Sequence, residues 1–285
     1  MKYLIILLMC ILATSKMSFQ SAFGKKSVRN TADAVAFNGL VFVFSALLFS
    51  YKIPGCSLPV WAYASIGGAF SVLFQLAYTK ALAMGNVSLT VLIVNFQMVI
   101  TVLVSYFMYG DDISGLRLLG ILLTIVSFFI CTDFKESQAP QKKWLITTLI
   151  ALAGTSISYV VLKIFGESAY SRENQAYVAC HYVVAAIITL AAYCIIKRKG
   201  QGKTFRTGKR AILFSMAVGL TLAVFQAVNT YAISVIPGTF LFPAYSGGTV
   251  VFSTLSGVFV FKDKLSKKQI FSIIIGITAI VLMNF

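Results

Sequence analysis

The stretch Gln75-Leu76-Ala77-Tyr78-Thr79-Lys80-Ala81, followed by a long apolar run and then by Asp112-Ile113-Ser114, decides how this chain folds, because it occurs twice. The second copy reads Gln226-Ala227-Val228-Asn229-Thr230-Tyr231-Ala232, a long apolar run, and then Asp263-Lys264-Leu265-Ser266. Gln75 precedes Asp112 by 37 residues, and Gln226 precedes Asp263 by 37; the two serines match after a slip of one residue. The residue identity is sparse, but the echo holds over three consecutive hydrophobic segments. Internal symmetry in an apolar chain points to a transporter built from repeats.

Composition names the solvent. Of 285 residues, 59% are hydrophobic and 11% charged, and mean hydropathy is +0.88. A soluble domain is nearer half apolar and a quarter charged. There is too little polar surface here to cover a globule, so the lipid bilayer is the partner of most of this chain. The net charge of +16 would suggest nucleic acid in a soluble protein. Here the basic residues sit in short connections between apolar runs, which is a membrane topology signal. No basic, groove-sized element lies outside those runs, so a nucleic-acid partner is excluded. The five cysteines, Cys10, Cys56, Cys131, Cys180 and Cys194, form no CxxC pair. They read as small hydrophobes rather than as metal ligands or a disulfide frame.

Apolar runs of roughly 20 residues read as membrane-spanning helices. Ten are visible: 2–23, 32–51, 59–83, 86–110, 113–133, 144–165, 174–197, 209–232, 237–262 and 266–285. Lys2, the run Tyr3 to Ala13 and the small residues Thr14 and Ser15 have the outline of a signal peptide, but the run continues to Phe23 and reads as a first span. The polar connection from Asp133 to Lys143 divides the chain into 1–137 and 138–285, each with five helices. An odd number of spans per half makes the second half enter from the opposite side, so the copies are inverted. The expected fold is therefore all-α integral membrane, ten transmembrane helices in two inverted five-helix repeats.

This arrangement resembles the drug/metabolite transporter superfamily, EamA type. The acid-x-Ser segments before the last helix of each half, Asp112-Ile113-Ser114 and Asp263-Lys264-Leu265-Ser266, carry the likeness further. That family usually has Glu at this turn, where this chain has Asp111/Asp112 and Asp263. The resemblance covers the whole chain. It implies a monomer or homodimer that moves a small-molecule substrate by alternating access, with no cofactor. It also implies both termini inside. The charges imply the reverse. Seventeen of the 24 basic residues fall in the odd-numbered connections, as at Lys25, Lys26, Arg29 and the cluster from Lys197 to Arg210; the amino terminus and even connections hold four. The positive-inside rule places the odd connections in the cytoplasm and both termini outside the cell membrane, and that is the expectation adopted.

Polar residues inside the spans are the site candidates. Lys16 lies about 6 Å past the middle of the first span, at ~1.5 Å per residue, where an ammonium costs about 3 kcal/mol. It reads as a cavity cation for a substrate carboxylate or phosphate, or else as a lysine snorkelling toward the headgroups. Gln20 shares its face. Lys80 and Lys163 lie near helix ends, where snorkelling explains them more simply. His181 could carry a proton, contact substrate or bond between helices. Gln75, Tyr78 and Thr79 share one helical face; Gln226, Asn229 and Thr230 repeat the spacing. Two equivalent polar faces should meet at a central cavity, unless they serve only interhelical bonds. Asn95, with Gln97 on another face, and Tyr245 complete the set. Pro243 removes one backbone bond, and Gly67-Gly68 and Gly247-Gly248 read as close-packing points.

All eight acids, Asp33, Asp111, Asp112, Asp133, Glu136, Glu167, Glu173 and Asp263, fall at helix ends or in loops. A proton-driven cation exporter usually needs a carboxylate at mid-depth, which argues against that mechanism, while the plentiful aromatics leave a cage for a quaternary amine open; with Lys16 the favoured substrate carries an anionic group: an amino acid, an organic acid, or a phosphorylated or sugar metabolite. Against an enzyme stand the missing HExxH, GxSxG and paired intramembrane acids. The competing class is a lipid-linked-sugar flippase or a non-transporting membrane subunit.

Overall fold

The computed structural model describes residues 2–28, 31–110, 114–131, 139–198, 209–236, 238–262 and 265–282. Asp111, Asp112, Asp263, the 137/138 boundary and most of the Lys197–Arg210 connection lie outside the described residues. The elements are α1 (Lys2–Ser27), α2 (Thr31–Phe49), α3 (Leu58–Met84), α4 (Val87–Asn95), α5 (Gln97–Tyr109), α6 (Gly115–Cys131), α7 (Ala139–Gly166), α8 (Asn174–Arg198), α9 (Lys209–Val235), α10 (Gly238–Phe259) and α11 (Lys267–Leu282). Short 3-10 turns occupy Ser50–Gly55 and Ser171–Glu173. Among the described residues there is no strand. Seven stretches are long and apolar enough to cross a membrane: Lys2–Ser27, Thr31–Gly55, Leu58–Met84, Leu89–Tyr109, Lys142–Gly166, Ser171–Arg198 and Lys209–Val235. Hence the chain is a multi-pass membrane protein.

One sequence expectation changes. The run 86–110 is two helices, broken at Phe96 between α4 and α5. The Asn95 amide donates to Val91 O at 2.8 Å, and the Phe96 N–H turns to Ile93 O at 3.1 Å. A side chain that bonds its own backbone competes with the helical ladder, and the i→i−3 bond tightens the turn. Local endings elsewhere follow ordinary rules. Pro59 sits in the first turn of α3 behind Ser57. Gly110 closes α5 with φ 67°, its N–H bonded to Tyr106 O at 3.1 Å, the left-handed cap that favours glycine.

Packing is organised as an exchange. The helix α3 packs on α7 and α8, and α9 packs on α1 and α2. Likewise α1 packs on α10, and α7 on α4 and α5, while α2–α8 and α6–α11 pair directly. Exchanging α1, α2, α3, the α4–α5 pair and α6 for α7, α8, α9, α10 and α11 maps this set of neighbours onto itself. The residues obey the same exchange. A Cβ on Gly68 of α3 would stand 2.7 Å from His181 O of α8, and a Cβ on Gly219 of α9 would stand 2.6 Å from Val41 O of α2. These two glycines have the same separation as Gln75 and Gln226. Between α6 and α11 the contact is reciprocal: Ser127 Oγ donates to Ser272 O, and Ser272 Oγ to Ser127 O, each at 2.7 Å. Without a hydrophobic drive between helices in lipid, such small-residue approaches and hydroxyl bonds are what hold spans together.

The ends match as well. Lys25 of α1 lies over the Phe261 ring beyond α10 at 5.1 Å, and Lys163 of α7 lies over the Tyr109 ring of α5 at 5.2 Å. Lys163 does not snorkel. It is 2% exposed and pairs with Glu167 at 2.6 Å. Lys80 donates to Thr31 Oγ1 at 2.7 Å.

Candidate functional site

A cavity of about 100 Å³ lies where the two halves meet. Residues from α1 to α5 and from α7 to α10 line it. A cavity needs only ~10–15 Å³ on this measure to admit one water, so the space takes several waters or a small solute. Of the residues singled out in the sequence, Lys16, Gln75, Tyr78, Asn95, His181, Gln226 and Tyr245 line this cavity. The break at Phe96 adds Gln97, which a continuous helix would have carried to another face. The clue in the sequence was the polar pair Asn95 and Gln97 around one aromatic in an apolar run. Broken helices at membrane depth are tolerated where they border a cavity.

Lys16 is buried, 8% exposed. Its ammonium faces the rings of Phe74 at 5.2 Å and Tyr78 at 5.4 Å and donates to Gln75 Oε1 at 3.4 Å. Ring faces attract a cation through their quadrupole, which lowers the desolvation cost without supplying a counter-ion. Gln75 is 1% exposed, and its Nε2 has no protein partner. The orientation of this amide follows from Lys16: an N–H₂ turned toward an ammonium would be repulsive, so the oxygen faces Lys16 and the N–H groups remain for another acceptor. His181 is buried beside Tyr177 and Tyr182, with Nδ1 unpartnered. Among the described residues the lining contains no aspartate or glutamate. Among the described residues, no group of three or more His, Cys, Asp and Glu side chains is placed to hold a metal ion.

Gln20, Thr79, Asn229 and Thr230 are not in the lining. Thr79 Oγ1 accepts from Gln20 Nε2 at 2.5 Å and Asn38 Nδ2 at 2.9 Å and donates to Gln75 O at 2.7 Å. It joins α1, α2 and α3 behind the cavity wall. Thr230 donates to Gln226 O at 2.7 Å within α9, and both polar atoms of Asn229 are buried without a partner. The i+4 member of each triplet points past the cavity; Gln75 and Tyr78 reach it from the first half and Gln226 from the second.

The sequence model of the EamA-like transporter family matches residues 4–133 and again residues 142–285. No curated protein matches the chain. In structure, 28 solved chains match. One of them, described only as the crystal structure of a protein, aligns at a TM-score of 0.65 and 16% identity, over 97% of this chain and 95% of that one. At that identity the likeness concerns the fold.

Proposed function

The chain belongs to the EamA-like transporter family, and we infer that it is a secondary transporter that carries a small organic solute with an anionic group across the cell membrane. The observation that carries this reading is a cavity between the halves that holds, among the described residues, one buried ammonium, Lys16, and no carboxylate. An ammonium at depth needs an anion, carbonyls or water. Gln75 offers one long contact, which leaves the ammonium with donors for an anion. A carboxylate fits that donor set through charge-assisted bonds. A cavity of about 100 Å³ suits a small metabolite better than a lipid-linked sugar.

Alternating access follows from the ten-span inverted repeat in this reading. Equivalent helices run oppositely, so the Lys25–Phe261 and Lys163–Tyr109 pairs close opposite faces. One must part while the other holds. Purified protein in liposomes tests the function directly. Labelled organic acids should enter protein-containing vesicles saturably and empty vesicles only at the leak rate. Equal rates in the two would reject a transporter and leave a non-transporting membrane subunit.

A further inference from the structure

Resting on that reading of the cavity, we propose that the site selects solutes of net charge −1, carboxylates whose remainder is uncharged, over the amino acids of the same skeleton, and that Lys16 determines this specificity. The argument is a charge inventory. Among the described residues, Lys16 is the one Lys or Arg in the lining, and none there is Asp or Glu. An ammonium carries three donors, and Gln75 Oε1 is the acceptor bonded to it among the described residues. The Phe74 and Tyr78 rings shield one side of it but accept no conventional hydrogen bond. The Gln75 N–H groups, held outward by the Lys16 contact, are buried donors without a partner. The ammonium thus keeps donors that Gln75 does not take up, suited to the oxygens of a carboxylate.

An amino acid bound there would hold its own ammonium one carbon away, within ~5 Å of Lys16, where like charges repel strongly in a low dielectric. The lining supplies no carboxylate to compensate that second buried cation. An oxo or hydroxyl group in its place needs only neutral partners, and Asn95, Gln97, Gln226 and Ser158 are in the lining. A dianion would leave its second charge without a fixed cation. The apolar end of the solute then meets Phe42 and Phe225.

The test uses matched sets on methyl, isopropyl and isobutyl skeletons, sized to the cavity: the 2-oxo acid, the 2-hydroxy acid, the amino acid and the simple amine. Binding is read by the thermal shift of the full chain in detergent and by competition against uptake in proteoliposomes. On at least one skeleton the 2-oxo or 2-hydroxy acid should bind at least tenfold tighter than the amino acid, and the amine should not bind. Lys16→Met should bring the acid-to-amino-acid ratio within about threefold, and Lys16→Arg should keep it. If the amino acid binds as tightly as its oxo counterpart, the charge selection is overturned while the cavity stands as a solute site. If Lys16→Met keeps the tenfold preference, the role of Lys16 is overturned. If no member of any set binds, the proposal and the reading beneath it fall together. The wild-type comparison decides the selection even if a Lys16 variant does not fold.

Discussion

At the scale of the residue, two buried polar groups one helix apart have opposite expected phenotypes. Lys16 faces the cavity, with one long hydrogen bond and two ring contacts. Replacing it by Met removes a desolvation cost, so Lys16→Met should fold at least as stably as wild type. Transport should nevertheless fall tenfold or more, because a charge-assisted bond is worth about 1.5–3 kcal/mol. Uptake at matched protein amounts checks this, and a wild-type rate would return Lys16 to a purely structural role. Thr79 is the contrast. Its hydroxyl joins α1, α2 and α3 through Gln20, Asn38 and the Gln75 carbonyl. Interhelical bonds in membranes average ~0.6 kcal/mol each, so Thr79→Val should cost about 1–2 kcal/mol of stability. Its transport per folded molecule should stay near wild type, and unchanged thermal stability would contradict the hub. Both residues were legible as candidates, because polar atoms in an apolar run are conspicuous. Which one reaches the cavity was not legible. Gln75 and Thr79 are one turn apart, and only the position of α2, fixed by Asn38, shows that Thr79 is already occupied.

At the scale of the element, ten apolar segments are readable because a bilayer-spanning helix needs ~20 apolar residues. The break at Phe96 is not readable the same way, since hydropathy stays high on both sides of it; Leu89–Tyr109 still has the length and apolarity of one span. A tightened turn at Phe96, whose N–H bonds Ile93 O, ends α4 without a Pro or Gly. The glycines show a related limit. Gly67-Gly68 was legible as a close-packing point, but Gly219 stands alone in its helix, and its partner belongs to a distant part of the chain. Position supplies what composition does not: Gly68 and Gly219 each meet a facing carbonyl, His181 O and Val41 O. A methyl group at either place overpacks against backbone, which typically costs about 1–3 kcal/mol. Gly68→Ala and Gly219→Ala should each lower the unfolding midpoint, and by similar amounts. A neutral Gly219→Ala beside a damaging Gly68→Ala would break the equivalence of the two interfaces.

At the scale of the whole molecule, the repeat was legible from Gln75 and Gln226, and the set of packed neighbours has the exchange symmetry those residues suggested. The side of the membrane is a separate matter, because an inverted repeat presents equivalent elements to both faces and its packing prefers neither. Charge must decide it. Basic residues in short connections resist translocation, and seventeen lie in the odd connections against four at the amino terminus and in the even connections. The densest cluster runs from Lys197 to Arg210, with seven basic residues and no acid. Moving that segment outward would carry seven positive charges across the bilayer against the rule, so it should lie in the cytoplasm and both termini outside. The check is a single cysteine, Gln201→Cys, in a chain whose own five cysteines are replaced. An impermeant thiol reagent should label it slowly in intact cells and quickly once the cells are broken. Equal labelling in both would put the cluster outside and both termini inside, as the family resemblance implies. The charge argument would then fail, while the cavity, which both halves line, would be unchanged.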